Sequence, residues 1–524
     1  MRLTHHPTMT PEPRGARTAV LLPGLAAFDL VLLAAAATAP NLIRVADLAW
    51  SLAISSLIVA TALLVARLFT SGRTQISLIA FLGVLAFGTL GDAAEGLRQD
   101  GTLDRLGGEF VLVALYLLCL AGPIMAIRRG HRSLQDWYRY AVTVLGVLGA
   151  VSAFRLIKAT LTPLPRALSS TIPVTGTRPG RPPDIWLLLM DKYSASPILR
   201  STYGLDDRSF ESWLKNRGFL LPVQQHTNYP QTFLVLASLL NFRYLEDYPD
   251  RFRGQSRLAA IPDIENNRLV AFLRARGYQF VFAPSAFDVT RQNRYADRQI
   301  PDPADVRPEL MIRWYRATAI PLLFRLACAT LRCEVMRSPY VPESLEAQEA
   351  KFAALERFVP ERPTFVFAHF LLPHEPYLYR ANCSPRPPYW PATDWGADSA
   401  PQREAYREQV ECTDRHLQRL VDAIQAHASV PPIILIQSDH GHGRLGWPVP
   451  SLKDSPRDRV EERISPFAAY ALPGLSSDSL YPGITPINVI RLLLRYYFGA
   501  DTPPVEDRTY WADTWRPYVF DRIR

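Results

Sequence analysis

The chain has 524 residues, of which 48% are apolar and 20% are charged. At about 150 residues per domain, this length excludes a single small module, and the composition excludes both a disordered chain and one buried entirely in a membrane. The formal net charge is +9, from 58 Lys and Arg against 49 Asp and Glu. No Lys/Arg cluster with interleaved aromatic residues accompanies this charge, so nucleic acid is not an expected partner.

Five apolar segments precede residue 160, and most of them reach the roughly 20 residues that a helix needs to cross a bilayer. They cover residues 19–43, 47–69, 76–90, 110–127 and 138–157. The third segment is short and contains glycine, which makes it the weakest of the five. The pattern predicts a membrane domain with about five transmembrane helices over residues 1–158.

Arginine residues lie at alternate ends of these segments. They precede the first segment, follow the second and separate the fourth from the fifth, whereas the loop over residues 92–109 is rich in acidic residues. The positive-inside rule therefore places the N-terminus in the cytoplasm, and five crossings place the rest of the chain outside. If the first segment is a cleaved signal peptide, four crossings from an external start give the same result. We expect a multi-pass protein of the cell inner (cytoplasmic) membrane with a periplasmic C-terminal domain.

Two further regions follow the membrane domain. Residues 159–182 are dense in Pro, Ser, Thr and Gly, as in a linker. Over residues 183–524, short apolar runs that are typical of buried strands alternate with helical patterns. The runs cover residues 185–190, 279–283, 364–370, 433–437 and 467–472, and the helical patterns cover residues 209–217, 268–276, 344–358, 404–428 and 485–498. This alternation predicts an α/β sandwich with a largely parallel sheet.

Polar side chains gather where the predicted strands end. Asp191 closes the first strand, His374 lies just beyond a later one, and Asp439 and His440 begin an Asp-His-Gly-His-Gly sequence after another. The carboxyl ends of parallel strands meet at one edge of a sheet, where α/β proteins bind ligands. A single Asp can simply cap the next helix, but several carboxylates and imidazoles together favour a metal site.

A candidate nucleophile lies at the start of a predicted helix. Pro230 stands where a helix can begin, which places Thr232 in the first turn. The free amides and the positive end of the helix dipole stabilise an anion there, and a metal on the hydroxyl would activate it for attack on phosphorus. The alternative is that Thr232 only caps the helix.

In order and spacing, these segments resemble the sulfatase-like branch of the alkaline phosphatase superfamily, and the resemblance spans nearly all of residues 183–524. The layout of five membrane spans followed by an external domain is also similar to that of lipoteichoic acid synthases and phosphoethanolamine transferases. The resemblance implies one divalent metal ion (Mn, Zn or Mg) held by Asp191, Asp439 and His440, with Thr232 as the metal-bound nucleophile. It also implies that His374 contacts the anionic group of the substrate or the leaving oxygen.

Two departures from the family pattern narrow these expectations. Lys192 occupies the place after Asp191 where many sulfatases carry a second acidic residue, so a single metal is expected. Formylglycine sulfatases need Cys or Ser in the pattern C/S-x-P-x-R, and Thr232 cannot become formylglycine. The candidates for substrate binding are Asn228, His442 and Lys192.

Four of the five cysteines lie in the predicted external domain, where disulfides are favoured. Cys328 and Cys333 are close in sequence and form the first predicted disulfide, which leaves Cys383 and Cys412 for the second. Cys119 lies within a membrane span. If the topology were inverted, four reduced thiols would be expected instead.

These features predict a membrane-anchored, metal-dependent phospho-group transferase that acts on phospholipid or envelope glycan substrates through Thr232. Two alternatives remain. One is a sulfatase-like hydrolase of phosphate or sulfate esters, in which water is the acceptor. The other is a non-catalytic envelope protein that keeps the fold, for which Lys192 after Asp191 is the main support.

Overall fold

The computed structural model of the chain describes residues 15–36, 45–99, 109–129, 134–161, 166–174, 182–247, 257–301, 309–320, 322–323, 345–386, 398–445 and 448–524. The chain divides into two compact units. The first consists of Met1–Pro163 and Arg307–Met336, and the second of Leu164–Val306 and Arg337–Arg524. The predicted division into residues 1–158, 159–182 and 183–524 stays a prediction.

Five long helices account for most of the described part of the first unit. They are α1 (Gly15–Ala36), α2 (Val45–Arg67), α3 (Arg73–Gln99), α4 (Glu109–Arg128) and α5 (Leu134–Leu161). A further short helix covers Glu309–Ala317. Large apolar side chains such as Leu57, Leu64 and Leu118 are exposed on these helices. Contiguous apolar surface is unusual on a protein in water and is typical of helices that face lipid.

Four helices among the described residues are long and apolar enough to cross a membrane. By length and composition these spans are Ala46–Arg67, Arg73–Gly91, Val111–Arg128 and Leu134–Lys158. The helix α1 contains a shorter apolar stretch, Val20–Ala36. The helix α3 continues beyond the predicted apolar run, residues 76–90, on both sides. These helices identify a membrane protein, while five crossings stay a prediction.

The arginine distribution predicts on which side of the membrane each part of the chain lies, and this prediction can be tested. Bacterial alkaline phosphatase, which needs an oxidising compartment for its disulfides, should be active when fused near residue 180 and inactive when fused near Arg129. Enzyme activity of the two fusions, normalised to the amount of fusion protein, measures this. The reverse pattern would contradict both the predicted topology and the expectation of disulfides in the second unit.

The second unit is built on a seven-stranded sheet. The strands are β1 (Ile185–Asp191), β2 (Phe219–Leu220), β3 (Gln279–Ala283), β4 (Arg298–Gln299), β5 (Thr364–Pro373), β6 (Ile433–Ser438) and β7 (Ala468–Ala471). Their order is β2-β7-β6-β1-β5-β3-β4, and a separate pair is formed by β8 (Tyr510–Trp511) and β9 (Asp521–Arg522). The pairs from β6 to β4 are parallel, and only the β6–β7 and β7–β2 pairs are antiparallel. The predicted α/β fold with a largely parallel sheet is confirmed.

Helices cover both faces of this sheet. They are α6 (Ser196–Tyr203), α7 (Arg208–Asn216), α8 (Thr232–Leu239), α9 (Ile261–Glu265), α10 (Arg268–Arg274), α11 (Leu345–Glu356), α12 (Ala400–His427), α13 (Arg457–Ile464) and α14 (Pro486–Phe498). Alternate residues of β1 enter opposite cores: Ile185 and Leu187 pack with α8, whereas Trp186 and Leu188 pack with α12. Burial on both faces explains the uninterrupted apolar run of β1. Each such side chain contributes about 1.5–3 kcal/mol to folding.

The register of the central strands brings three chain segments together. Met190 pairs with Ser438 of β6 on one side and with Phe370 of β5 on the other. The residues that follow these strands therefore meet at one edge of the sheet, as parallel strands require. This edge carries the polar residues singled out from the sequence.

Candidate active site

Asp191, Asp439 and His440 form a buried cluster at this edge. Asp191 is the last residue of β1, and the other two directly follow β6, the neighbouring strand. One ligand atom from each lies within 4.8 Å of the others. None of the three side chains is more than 3% exposed. The predicted ligands thus come together because their strands are neighbours and end at the same level.

The carboxylate oxygens of this cluster fit a cation. Asp439 Oδ1 accepts hydrogen bonds from the backbone amides of Lys192 (3.1 Å) and His440 (2.6 Å). By contrast, Asp439 Oδ2 and Asp191 Oδ1 are buried without a hydrogen-bond donor among the described residues. A buried oxygen without a partner costs about 1–3 kcal/mol, which a divalent metal held by these residues would offset. The residues therefore fit a divalent metal ion.

The hydrogen bonds of His440 favour the neutral tautomer that a metal requires. Its Nδ1 lies 2.9 Å from the carbonyl oxygen of Gly441, so Nδ1 carries the proton that is donated there. Arg463 Nη2 lies 3.0 Å from Nε2, which must then hold a lone pair. Burial, reinforced by Arg463, lowers the pKa of His440 well below its usual value. The Nε2 lone pair, which accepts from Arg463 here, is the one that would bind a metal in place of that hydrogen bond.

The glycines of the Asp-His-Gly-His-Gly sequence are required by close packing. A Cβ on Gly441 would lie 2.0 Å from the carbonyl oxygen of Glu462, at the end of α13. Gly443 has φ +73°, and a Cβ there would lie 2.9 Å from Cβ of Arg463. The loop after β6 therefore lies directly against α13, which holds the two ligands in place.

Thr232 is the first residue of α8 and is not its cap. The N-cap position is occupied by Gln231, which makes no side-chain capping bond, and its Nε2 donates to the carbonyl oxygen of Ala512 (2.9 Å). The Thr232 hydroxyl lies close to Asp439. Burial raises the pKa of Asp439, and a hydrogen bond from the Thr232 side chain opposes that rise. The structure thus places the predicted nucleophile beside the cluster of Asp191, Asp439 and His440, and the hydroxyl does not cap the helix.

Arg463 links the start of α8 to the metal cluster. Its guanidinium donates from Nε to the carbonyl oxygen of Pro230 (2.9 Å) and from Nη1 to that of His442 (3.2 Å). The side chain is 5% exposed, and burial lowers its pKa. Because the same guanidinium also contacts His440, it fixes the distance between the nucleophile segment and the ligands.

His374 and Glu375 follow β5 at the same edge. The Nδ1 of His374 is hydrogen bonded to the backbone carbonyl of Glu375 and lies 3.6 Å from Glu375 Oε2. Burial lowers the pKa of His374 to about 4. The ring is therefore neutral at pH 7, and because Nδ1 donates to a carbonyl, the lone pair is on Nε2.

Lys192 and Glu375 form a buried ion pair that the sequence did not reveal. Lys192 Nζ lies 2.6 Å from Glu375 Oε1, and both side chains are 8% exposed. Lys192 has φ 62°, a left-handed conformation that only its surroundings can enforce. Burial raises the pKa of Asp191, and the positive charge of Lys192 opposes that rise.

A Sulfatase family model matches residues 183–485, more than half of the chain. The chain belongs to the sulfatase family. No curated protein sequence matches the chain.

Among solved structures, the C-terminal periplasmic domain of EcEptC from Escherichia coli is similar at 13% identity and TM-score 0.42, covering 69% of this chain and 96% of that domain. The integral membrane lipooligosaccharide phosphoethanolamine transferase A from Neisseria meningitidis is similar at 13% identity and TM-score 0.39. The match covers 84% of this chain and 78% of that protein. A protein of the alkaline phosphatase superfamily from Vibrio parahaemolyticus is similar at 13% identity and TM-score 0.37. The match covers 65% of this chain and 75% of that protein.

In this sulfatase-family chain, His442 is held between two tyrosines. Its Nδ1 lies 3.0 Å from the hydroxyl of Tyr203, and its Nε2 lies 3.0 Å from that of Tyr377. Burial lowers the pKa of His442 to about 3. Both ring nitrogens are thus already hydrogen bonded, and substrate binding by His442 stays a prediction.

Asn228 is buried in the segment before α8, and its role in substrate binding stays a prediction. Its side chain is 1% exposed, and Nδ2 donates to the Tyr244 hydroxyl (3.2 Å) and to the carbonyl oxygen of Arg508 (3.0 Å). The backbone amide of Ile487 donates to its Oδ1 (3.4 Å). The amide group is therefore occupied by contacts inside the unit, which anchor the segment before α8.

The cysteines follow the predicted pairing where the structure describes them. Cys383 and Cys412 form a disulfide that joins the segment after β5 to α12. Cys328 and Cys333 lie outside the described residues. Cys119 is free and exposed on α4.

Proposed function

We propose that this chain is a membrane-anchored, metal-dependent phospho-group transferase of the sulfatase family with Thr232 as its nucleophile. The observation that carries the proposal is the position of Thr232 at the start of α8, beside Asp439 of the three-ligand cluster. A hydroxyl that does not cap its helix, next to carboxylates with unpartnered oxygens, is suited to nucleophilic attack. The lipid-facing helices of the first unit favour a phospholipid donor.

Asp191, Asp439 and His440 would hold one divalent metal ion, which lowers the pKa of a nearby hydroxyl and neutralises charge on a phosphoryl oxygen. Thr232 Oγ1 attacks the phosphorus of a phosphodiester, so an O–P bond to Thr232 forms while the bond to the leaving alkoxide breaks. The positive end of the α8 dipole would stabilise the anionic oxygens that result. A hydroxyl of the acceptor then attacks the same phosphorus, and Thr232 leaves.

His374 is suited to move a proton in these steps. With Nδ1 donating to a backbone carbonyl, its Nε2 can accept the Thr232 proton during the first attack and the proton of the acceptor hydroxyl during the second. Once protonated, the same nitrogen donates that proton to the oxygen that leaves, which is the donor alkoxide in the first step and Thr232 Oγ1 in the second. The resemblance implies only that His374 contacts the anionic group or the leaving oxygen. Because a ring with a pKa of about 4 is neutral before substrate binds, His374 can first accept a proton.

The experiment that tests this function compares the lipids and envelope glycans of cells with and without the protein. We expect loss of one phospho-substituted glycan or lipid in cells that lack it, together with loss of the matching headgroup-free lipid product. Mass spectrometry of both fractions measures this. A strain with Thr232→Ala should match the deletion strain. A phosphate or sulfate monoester that accumulates without any substituted acceptor would indicate a hydrolase, and no change in any fraction would favour a non-catalytic role.

A further inference from the structure

One face of α12 contacts both chain segments that enter the candidate site. Tyr406, Gln409 and Cys412 are spaced three residues apart and so lie on the same side of the helix. Tyr406 contacts the segment after β1, whereas Gln409 and Cys412 contact the segment after β5. This helix thus connects the two strand ends that carry Asp191 and His374.

Gln409 uses its whole amide group to hold the His374 segment. Its Nε2 donates to the carbonyl oxygens of Pro373 (3.1 Å) and His374 (2.8 Å). Its Oε1 accepts from the backbone amides of Leu378 (2.5 Å) and Tyr379 (3.3 Å). Two donated and two accepted bonds are all that a glutamine amide can form. The side chain is 0% exposed, so water does not compete for these bonds.

The His374 segment needs such a partner because it has left the sheet. β5 ends at Pro373, and the residues beyond it lose the ladder bonds that fix a strand. Pro373 and Pro376 also lack a backbone N–H, which limits the bonds that the segment can form by itself. Gln409 therefore replaces the sheet as the anchor of His374.

Tyr406 fixes the other side of the site from one turn earlier. Its hydroxyl donates to the carbonyl oxygen of Lys192 (2.8 Å) and accepts from the backbone amide of Ser194 (3.1 Å). Lys192 directly follows the ligand Asp191. The spacing between the metal cluster and His374 is thus set by two adjacent turns of one rigid helix.

We propose that Gln409 is a positioning residue, which holds His374 at the distance from the metal cluster that phosphoryl transfer needs. The proposal rests on the proposed function, in which His374 moves a proton during transfer. The Cys383–Cys412 disulfide holds the same segment further along the chain, so loss of the Gln409 amide should displace His374 without releasing the segment. A displacement of about 1 Å can lower a rate by about 10²-fold.

The test compares Gln409→Met with Gln425→Met in the full chain in detergent micelles. Methionine keeps the volume of glutamine and removes its amide. Gln425 lies on the same helix, and among the described residues its side chain makes one hydrogen bond, to the carbonyl oxygen of Arg217 (3.0 Å), so it is a matched control. The probe substrate is bis(p-nitrophenyl) phosphate. We expect Gln409→Met to lower kcat by about 10²-fold with KM and metal content unchanged, and Gln425→Met to behave as wild type.

A second readout follows the position of His374 without requiring turnover. Diethyl pyrocarbonate modifies unprotonated, accessible imidazoles, and peptide mass mapping gives the rate at His374. This rate should rise in Gln409→Met and stay unchanged in Gln425→Met. If Gln409→Met does not fold, Gln409→Glu keeps the acceptor oxygen, lacks both donors as a carboxylate, and should give the same changes.

Wild-type kcat together with a wild-type modification rate in the folded Gln409 variants would overturn the positioning role. A loss of kcat that is matched by a loss of metal would also overturn it, because the effect would then pass through the ligands. If wild type itself fails to turn over the diester, the proposed function fails, whereas the modification rate still decides whether Gln409 positions His374.

Discussion

Asp439→Asn should abolish metal binding by the full chain. Asparagine keeps the size of the side chain and removes the negative charge, while one of the two unpartnered carboxylate oxygens becomes a neutral amide group. Only three protein ligands form the described cluster, so the loss of one leaves a coordination shell that water fills poorly. We expect metal content to fall from about one ion per chain to near zero, with turnover lost in parallel.

Elemental analysis of protein purified in detergent measures this, with His440→Ala as a second ligand variant. The matched control is Asp414→Asn. Asp414 is a buried carboxylate of the same unit, but it accepts a hydrogen bond from the Tyr193 hydroxyl and lies outside the three-ligand cluster. Its replacement should leave metal content unchanged. Wild-type metal content in both ligand variants would show that the ion is bound elsewhere.

The strands of the second unit were the most predictable part of the fold. β3 covers residues 279–283 as predicted, because a strand buried on both faces of a parallel sheet is an uninterrupted apolar run. β5 extends three residues beyond its predicted end, through Pro373, since pairing with β1 continues where the sequence pattern becomes ambiguous.

Helix ends were harder to place. α12 begins at Ala400, four residues before the predicted start. Ser399 and Gln402 form a capping box there, and this spacing is visible in the sequence as Ser-x-x-Gln. The prediction followed the apolar period, which starts only where the helix meets the core.

Some residues of the candidate site could be predicted from the sequence near them, and others could not. Asp191, Asp439 and His440 could be found because each lies at the end of an apolar run. Glu375 and Gln409 could not, because their partners are distant in sequence: Lys192 and Glu375 are 183 residues apart. Nothing local distinguishes a glutamine that anchors a segment from one on the surface of a long helix.

Thr232→Ala should fold normally and lose turnover by at least about 10⁴-fold, because the bond-forming oxygen is removed. The N-cap of α8 is Gln231, so alanine at residue 232 should lower stability by less than the roughly 1 kcal/mol of a lost cap. Ser238→Ala is the matched control: Ser238 lies on the same helix, and its hydroxyl bonds only to the carbonyl oxygen of Val235 among the described residues (2.9 Å). Its turnover should equal that of wild type.

A trapped intermediate tests the same residue directly. With a phosphodiester donor and no acceptor, the first half of the reaction leaves the phosphoryl group on Thr232 Oγ1 and releases the alcohol. Peptide mass mapping should then find the adduct on the peptide that contains Thr232 in wild type and in Ser238→Ala, and on no peptide of Thr232→Ala. Undiminished turnover in Thr232→Ala, or an adduct on another residue, would assign the nucleophile elsewhere. The start of α8 beside Asp439 would then serve only to bind the anionic substrate through the free helix amides.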